Sequence, residues 1–173
     1  HEYTNVLMLL GEMDKCIQIL TAIKAVIDNN LQDKKLRCSL SGSIGKMHFL
    51  MGSYDEAEQN FREQLSLSRE LDMPDDKFNA LLYITKINRI HGNYKKAIEH
   101  LDALKNEFHS RDSLLEQVLS ELGVVHKNEG DFDMALECYQ RQEEICIKNN
   151  YKTSLLAALG NMGIVYRHQN ENK

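Results

Sequence analysis

Apolar side chains recur at steps of three and four along nearly the whole chain, and short polar runs interrupt them at regular intervals. Leu40, Ile44, Met47 and Met51 form one such face, Leu81, Ile84, Ile87 and Ile90 a second, and Leu115, Leu119, Leu122 and Val125 a third. Side chains three and four apart share one face of a helix, so each run predicts a half-buried helix. After a glycine, a second helical face follows each: Ala57, Phe61, Leu65 and Ser68; Ala97, Leu101 and Leu104; Ala135, Tyr139 and Gln142. Polar breakers at 28–30, 72–76, 109–112 and 149–150 separate the pairs. Pro74 falls at a helix start, beside two acids that favour the N-terminal end of the helix dipole. The pattern predicts nine helices, near 2–10, 13–29, 33–51, 54–72, 75–91, 94–108, 112–129, 132–149 and 152–169.

The glycines show that these pairs are copies of one unit. Gly52-Ser53-Tyr54-Asp55-Glu56-Ala57, Gly92-Asn93-Tyr94-Lys95-Lys96-Ala97 and Gly130-Asp131-Phe132-Asp133-Met134-Ala135 align without gaps, and a weaker copy begins at Gly11. The turn glycines are 41, 40 and 38 residues apart, and a further step of 40 reaches Asn170. Such a period marks a repeat of helical hairpins, each burying its apolar face against its neighbours. The expected units are about 1–31, 32–73, 74–110, 111–150 and a partial 151–173, within one domain spanning 1–173. Gly45, Gly123 and Gly163 each lie seven residues before a turn position. Glycine costs about 1 kcal/mol in a helix interior relative to alanine. Close helix packing, against the alanine five residues after the turn, is the expected reason for it. Gly42 and Gly160, ten before their turns, are expected on a binding face, as a recess or a point of close helix approach.

This signature of small residue, aromatic, Gly, aromatic, Ala, aromatic resembles the tetratricopeptide repeat. It reads Gly45, His48, Gly52, Tyr54, Ala57, Phe61 in the second unit and Gly123, His126, Gly130, Phe132, Ala135, Tyr139 in the fourth. The third unit departs at Thr85 and Asn88, and the first is degenerate. A period near forty looks like the long-helix subtype of kinesin light chains, GoLoco-binding adaptors and bacterial signalling regulators. The resemblance implies an all-α fold, a right-handed solenoid of stacked antiparallel helix pairs. It further implies a concave surface lined by the first helix of each unit, binding of peptides or protein segments, and no catalysis. The carboxylate clamp of chaperone-type members is not expected, because Gly42 and Gly160 occupy clamp-bearing positions.

Composition narrows the function further. The 173 residues carry 21 basic and 26 acidic side chains, a net charge of -5, which disfavours nucleic-acid binding by this segment. No apolar run is long enough for a membrane span. Cys16, Cys38, Cys138 and Cys146 form no C-x-x-C or zinc spacing and read as reduced, buried thiols of a cytoplasmic protein. His48 and His126 read as packed rings. Gly42-Ser43-Ile44-Gly45-Lys46-Met47 fails as a phosphate loop, with Leu40 and Met47 where Gly and Ser or Thr belong. No catalytic set, cofactor site or metal site emerges.

The acids gather on the second helices. Residues 33–51 hold four basic and one acidic side chain, whereas 53–73 hold two basic and six acidic. Lys46, Lys86 and Ile164 stand six residues before a turn position, and Phe49, Arg89, Lys127 and Arg167 three before one. These seven form the expected groove, suited to an acidic segment of a protein partner. A second reading makes the chain the ligand-sensing segment of a larger bacterial regulator. The chain begins with His1 and reads as a piece of a longer protein. Helix 152–169 carries Leu155, Leu159, Met162 and Val165 with no following helix in register, so either the repeat array continues or this helix self-associates.

Overall fold

The computed structural model describes residues 12–30 and 33–171. Eight helices occupy them: α1 (Met13–Asn30), α2 (Lys34–Leu50), α3 (Tyr54–Glu70), α4 (Pro74–Ile90), α5 (Tyr94–Glu107), α6 (Asp112–Glu129), α7 (Phe132–Asn149) and α8 (Lys152–Glu171). No end differs from its predicted position by more than two residues. The helix predicted over 2–10 and the turn at Gly11 lie outside the described residues.

Five of the six fully described turns between the helices close alike. Gly52, Gly92 and Gly130 adopt φ of 79, 75 and 86°. The next residue then reaches back five positions, as in Asp131 N–H to His126 O at 2.9 Å. That left-handed cap satisfies carbonyls a helix end would otherwise leave bare, and a Cβ there costs about 1–2 kcal/mol. Two linkers between hairpins, which read in the sequence only as polar breakers, use the same cap, whereas α5 ends on Phe108 with φ −108°. Asp72 (φ 51°) and Asn150 (φ 57°) stand in for glycine, with Met73 N–H to Ser68 O at 2.8 Å and Tyr151 N–H to Cys146 O at 2.9 Å.

The chain divides into two compact units, one up to Ile87 and the other from Asn88. In the first, Cys16, Leu20 and Ile27 of α1 bury against Leu40, Ile44 and Met47 of α2. Ala57 and Phe61 of α3 bury with Ile84 and Ile87. In the second, α6 packs on α5, α7 and α8, and Ala135 and Tyr139 bury with Met162 and Val165. The four cysteines are buried and free.

At Gly45 and Gly123 the nearest group is an aromatic ring and not the alanine that the spacing predicts. A Cβ on Gly45 would stand 3.1 Å from the Phe61 ring, and one on Gly123 only 2.4 Å from the Tyr139 ring. Aromatic rings nine residues after these two turns lie flat on the glycine. The third unit has Thr85 and Leu101 at these two register positions, a larger residue accompanying a smaller one. Gly42 is no binding recess either: the Gln64 side chain covers it, with Nε2 2.3 Å from where a Cβ would be. At Gly160 and Gly163 an added Cβ would meet nothing within 4 Å.

Polar groups fix the register around this packing. Gln64 and Gln142, each twelve residues after a turn, are buried. Gln64 Nε2 donates to Asp76 Oδ1 at 3.0 Å. Gln142 Nε2 donates to Glu116 Oε2 at 3.1 Å, and Ser154 Oγ donates to Glu116 Oε1 at 3.2 Å. Glu63 ties three helices, accepting from Lys24 of α1, from Arg37 Nε (2.7 Å) and Ser41 Oγ (2.9 Å) of α2. Burial pushes the Glu63 carboxyl up, but the hydrogen bonds from Lys24, Arg37 and Ser41 outweigh it and hold the group below its ordinary value.

Gly123→Ala is expected to destabilise by about 1–3 kcal/mol through overpacking. Combined with Tyr139→Leu it should cost less than the sum of the two single changes, by at least about 1 kcal/mol in a double-mutant cycle from denaturant unfolding. Because the folded Glu63 carboxyl is depressed, its contribution is present above the unfolded value of about 4.3 and disappears as pH falls through the lower folded value. Thermal unfolding followed from about pH 6 to about pH 3 should show this acid limb, flattened in Glu63→Gln.

Candidate interaction surface

The seven residues expected in one groove fall into both units: Lys46, Phe49 and Lys86 in the first, and Arg89, Lys127, Ile164 and Arg167 in the second. Each set is described within its own unit.

In the first unit the three converge on a residue the sequence pattern did not single out, Tyr83. Phe49, in the last turn of α2, meets Tyr54 edge-on at 5.6 Å and Tyr83 edge-on at 5.2 Å. Tyr83 stacks on Phe61 at 4.6 Å with the planes 7° apart. Lys86, one turn further along α4, holds its Nζ 5.3 Å from the Tyr83 ring centroid. The glycine at 45 makes this possible, because it lets the Phe61 ring sink close to α2 and places Tyr83 over it. Lys46 is exposed on α2 and has no ion pair among the described residues. Phe49 is therefore part of a half-buried aromatic ladder rather than an isolated apolar contact.

In the second unit the arrangement is more committed. Arg89 Nε lies 3.4 Å from Glu121 Oε2, an ion pair longer than a hydrogen bond, with side chains 22% and 15% exposed. Arg89 is thus already held by an internal carboxylate. Lys127 is half-buried and has no ion pair among the described residues, Ile164 is half-buried, and Arg167 is exposed. Val124, at the Lys46 register position, packs on the cluster around Tyr139 instead of lining a surface. Tyr83 and Glu121 both stand nine residues before a turn glycine. The step of three that joins positions six and three before the turn extends to nine, so this signal was in the sequence.

Two of the buried thiols are held in the protonated form. Burial pushes Cys38 and Cys138 up to about 11, so both stay protonated at neutral pH. Among the described residues no three or more His, Cys, Asp or Glu side chains are grouped to hold a metal ion. None of the described helices is long and apolar enough to cross a membrane.

Residues 41–71 and 118–148 each match a family model of the tetratricopeptide repeat. The chain carries tetratricopeptide repeats. Solved structures with this fold include a kinesin-light-chain-like protein of Podosopora anserina with nearly identical TPR-like repeats. It is 15% identical, the match covers 99% of this chain and 85% of that one, and the TM-score is 0.75. MamA is also similar, at 15% identity and a TM-score of 0.57, covering 98% of this chain and 95% of that one. No curated protein matches the sequence. The likeness establishes the all-α, solenoid-type fold of consecutive helix pairs. Tetratricopeptide repeats generally mediate protein–protein interaction, and the fold is typically a non-enzymatic scaffold.

Tyr83→Ala should lower stability by about 2–3 kcal/mol, since it removes a ring packed between Phe61 and Phe49. Lys86→Met keeps the apolar stem and loses only the cation over the ring, so it should cost less than about 1 kcal/mol. Denaturant unfolding of the two variants measures both.

Proposed function

We propose that this tetratricopeptide-repeat chain is a protein-interaction module that binds an acidic segment of a partner on the faces of its first helices. In the first unit the face comprises Lys46, Phe49 and Lys86 around Tyr83. In the second it comprises Lys127, Ile164 and Arg167, with Arg89 beside them.

The observation that carries this reading is the Lys86 ammonium poised 5.3 Å from the Tyr83 ring, with Phe49 edge-on to the same ring. A cation held beside flat aromatic surface offers a partner a charge to pair with and an apolar platform to rest on. Both are needed to hold an extended or helical segment that mixes acidic and apolar side chains. Lys46 and Lys127 add positive charge that no acid among the described residues neutralises. Arg89 differs, because an incoming carboxylate must share it with Glu121. The second helices carry most of the acid, so the chain's own charge disfavours the same partner there.

Fluorescence anisotropy with a labelled Glu- and Leu-rich peptide tests the proposal. The pair Lys46→Gln and Lys86→Met should weaken binding at least about five-fold at low salt, equivalent to about 1 kcal/mol. The difference should shrink at high salt, where screening shortens the reach of exposed charges. An unchanged Kd at low salt overturns the reading.

A further inference from the structure

One register position sets the faces of the two units apart. Nine residues before the turn the first unit has Tyr83 and the second has Glu121. Tyr83 holds a cation beside its ring, whereas Glu121 meets one directly, with Oε2 3.4 Å from Arg89 Nε. The group that an acidic partner would bring to Arg89 is thus supplied by the chain itself.

The pair is not a saturated one. Arg37 shows what saturation looks like in this chain. Its Nε donates to Glu63 Oε1 at 2.7 Å, and its Nη2 lies 2.6 Å from the same oxygen. Arg89 Nε is buried, yet its contact with Glu121 lacks the geometry of a hydrogen bond. The hydroxyl of Tyr139, a residue with no exposed surface, is a second buried donor with no hydrogen-bond partner among the described residues. Burial pushes this hydroxyl up, Cys138 and Glu121 add to the shift, and Arg89 opposes it, so the charges of the pair act on it.

Buried donors without acceptors carry a free-energy cost that an incoming acceptor recovers. Arg89 and Glu121 keep enough exposure to be reached, at 22 and 15%. A carboxylate arriving there meets two opposed effects. The guanidinium attracts it, and the Glu121 carboxylate repels it at short range, where partial burial limits screening by salt. Neutralising one member of such a pair leaves the other charge uncompensated, and an external ion of the right sign then binds it more strongly.

We infer, resting on the acidic-partner reading above, that Glu121 is a resident competitor for Arg89 and sets how strongly the second unit holds that partner. It occupies the guanidinium as the partner's acid would, and the partner's carboxylate must displace it. Loss of the Glu121 charge hands the site over.

The labelled Glu- and Leu-rich peptide, titrated at low salt and followed by fluorescence anisotropy, tests this. Glu121→Gln should tighten binding at least about five-fold. Glu121→Ala should do the same, because only the carboxylate has to go, and alanine suits a helix. Glu129→Gln removes an equal charge from an exposed position on α6, and it should change Kd less than about two-fold. Arg89→Gln should weaken binding at least about three-fold more in the Glu121→Gln background than in the otherwise unaltered chain. Circular dichroism establishes that each variant is folded. A Kd that neither Glu121 variant tightens overturns the inference, as does an Arg89→Gln effect equal in both backgrounds. In those cases binding by the unaltered chain still stands, and with it the acidic-partner reading. No binding by any form overturns both.

Discussion

The contact on which the α2–α3 and α6–α7 hairpins depend is an aromatic ring lying flat on a helix backbone at glycine. Tyr139 on Gly123 leaves no room for even a methyl group, and Phe61 on Gly45 leaves barely enough for one. Close packing of this kind determines how near two helices come and how one is rotated against the other. The remaining features follow from it. With Phe61 seated on α2, Tyr83 can stack on its other side and Phe49 can meet Tyr83 edge-on. The surface that bears Lys46 and Lys86 is thus a consequence of a glycine that neither lysine touches.

A second layer of order comes from buried polar groups. Both buried glutamines find a carboxylate, but from opposite sides of the niche. Asp76 reaches Gln64 from the third residue of α4, whereas Glu116 reaches Gln142 from the fifth residue of α6. The positions exchange roles, with Cys38 where Glu116 would be and Ser154 where Asp76 would be. A buried amide left unpaired costs about 1–3 kcal/mol, so each niche admits only the register that brings its acid within reach. The third unit has Phe78, Leu104 and Leu114 at these positions and dispenses with the polar set. One repeat scaffold thus carries two kinds of core.

Much of this was legible from spacing. Helix ends were readable because a left-handed residue closes these turns, and glycine marks it at Gly52, Gly92 and Gly130. The same cap at Asp72 and Asn150 was hidden, because Asp and Asn serve equally well in ordinary polar loops. The glycines seven before the turns announced a close approach but not its partner. The period places alanine and aromatic residues alike on the second helix, and only the tertiary structure shows that the ring meets the glycine. Gly42 and Gly160 share a register position yet differ in fate, one covered by Gln64 and the other open.

The amino-acid sequence by itself determined the helices, their pairing and the repeat, because these depend on local periodicity and on turn residues with few alternatives. It also determined where charge accumulates, since acids and bases segregate by helix. Only the tertiary structure decided which of those charges are committed. Arg89 is held by Glu121 and Lys86 lies over Tyr83, pairings between neighbouring side chains that a count along the chain cannot distinguish from solvated ones. It likewise decided that the Phe61 and Tyr139 rings close over Gly45 and Gly123. Burial depends on what another helix brings to a position, and the position's own residue does not specify that.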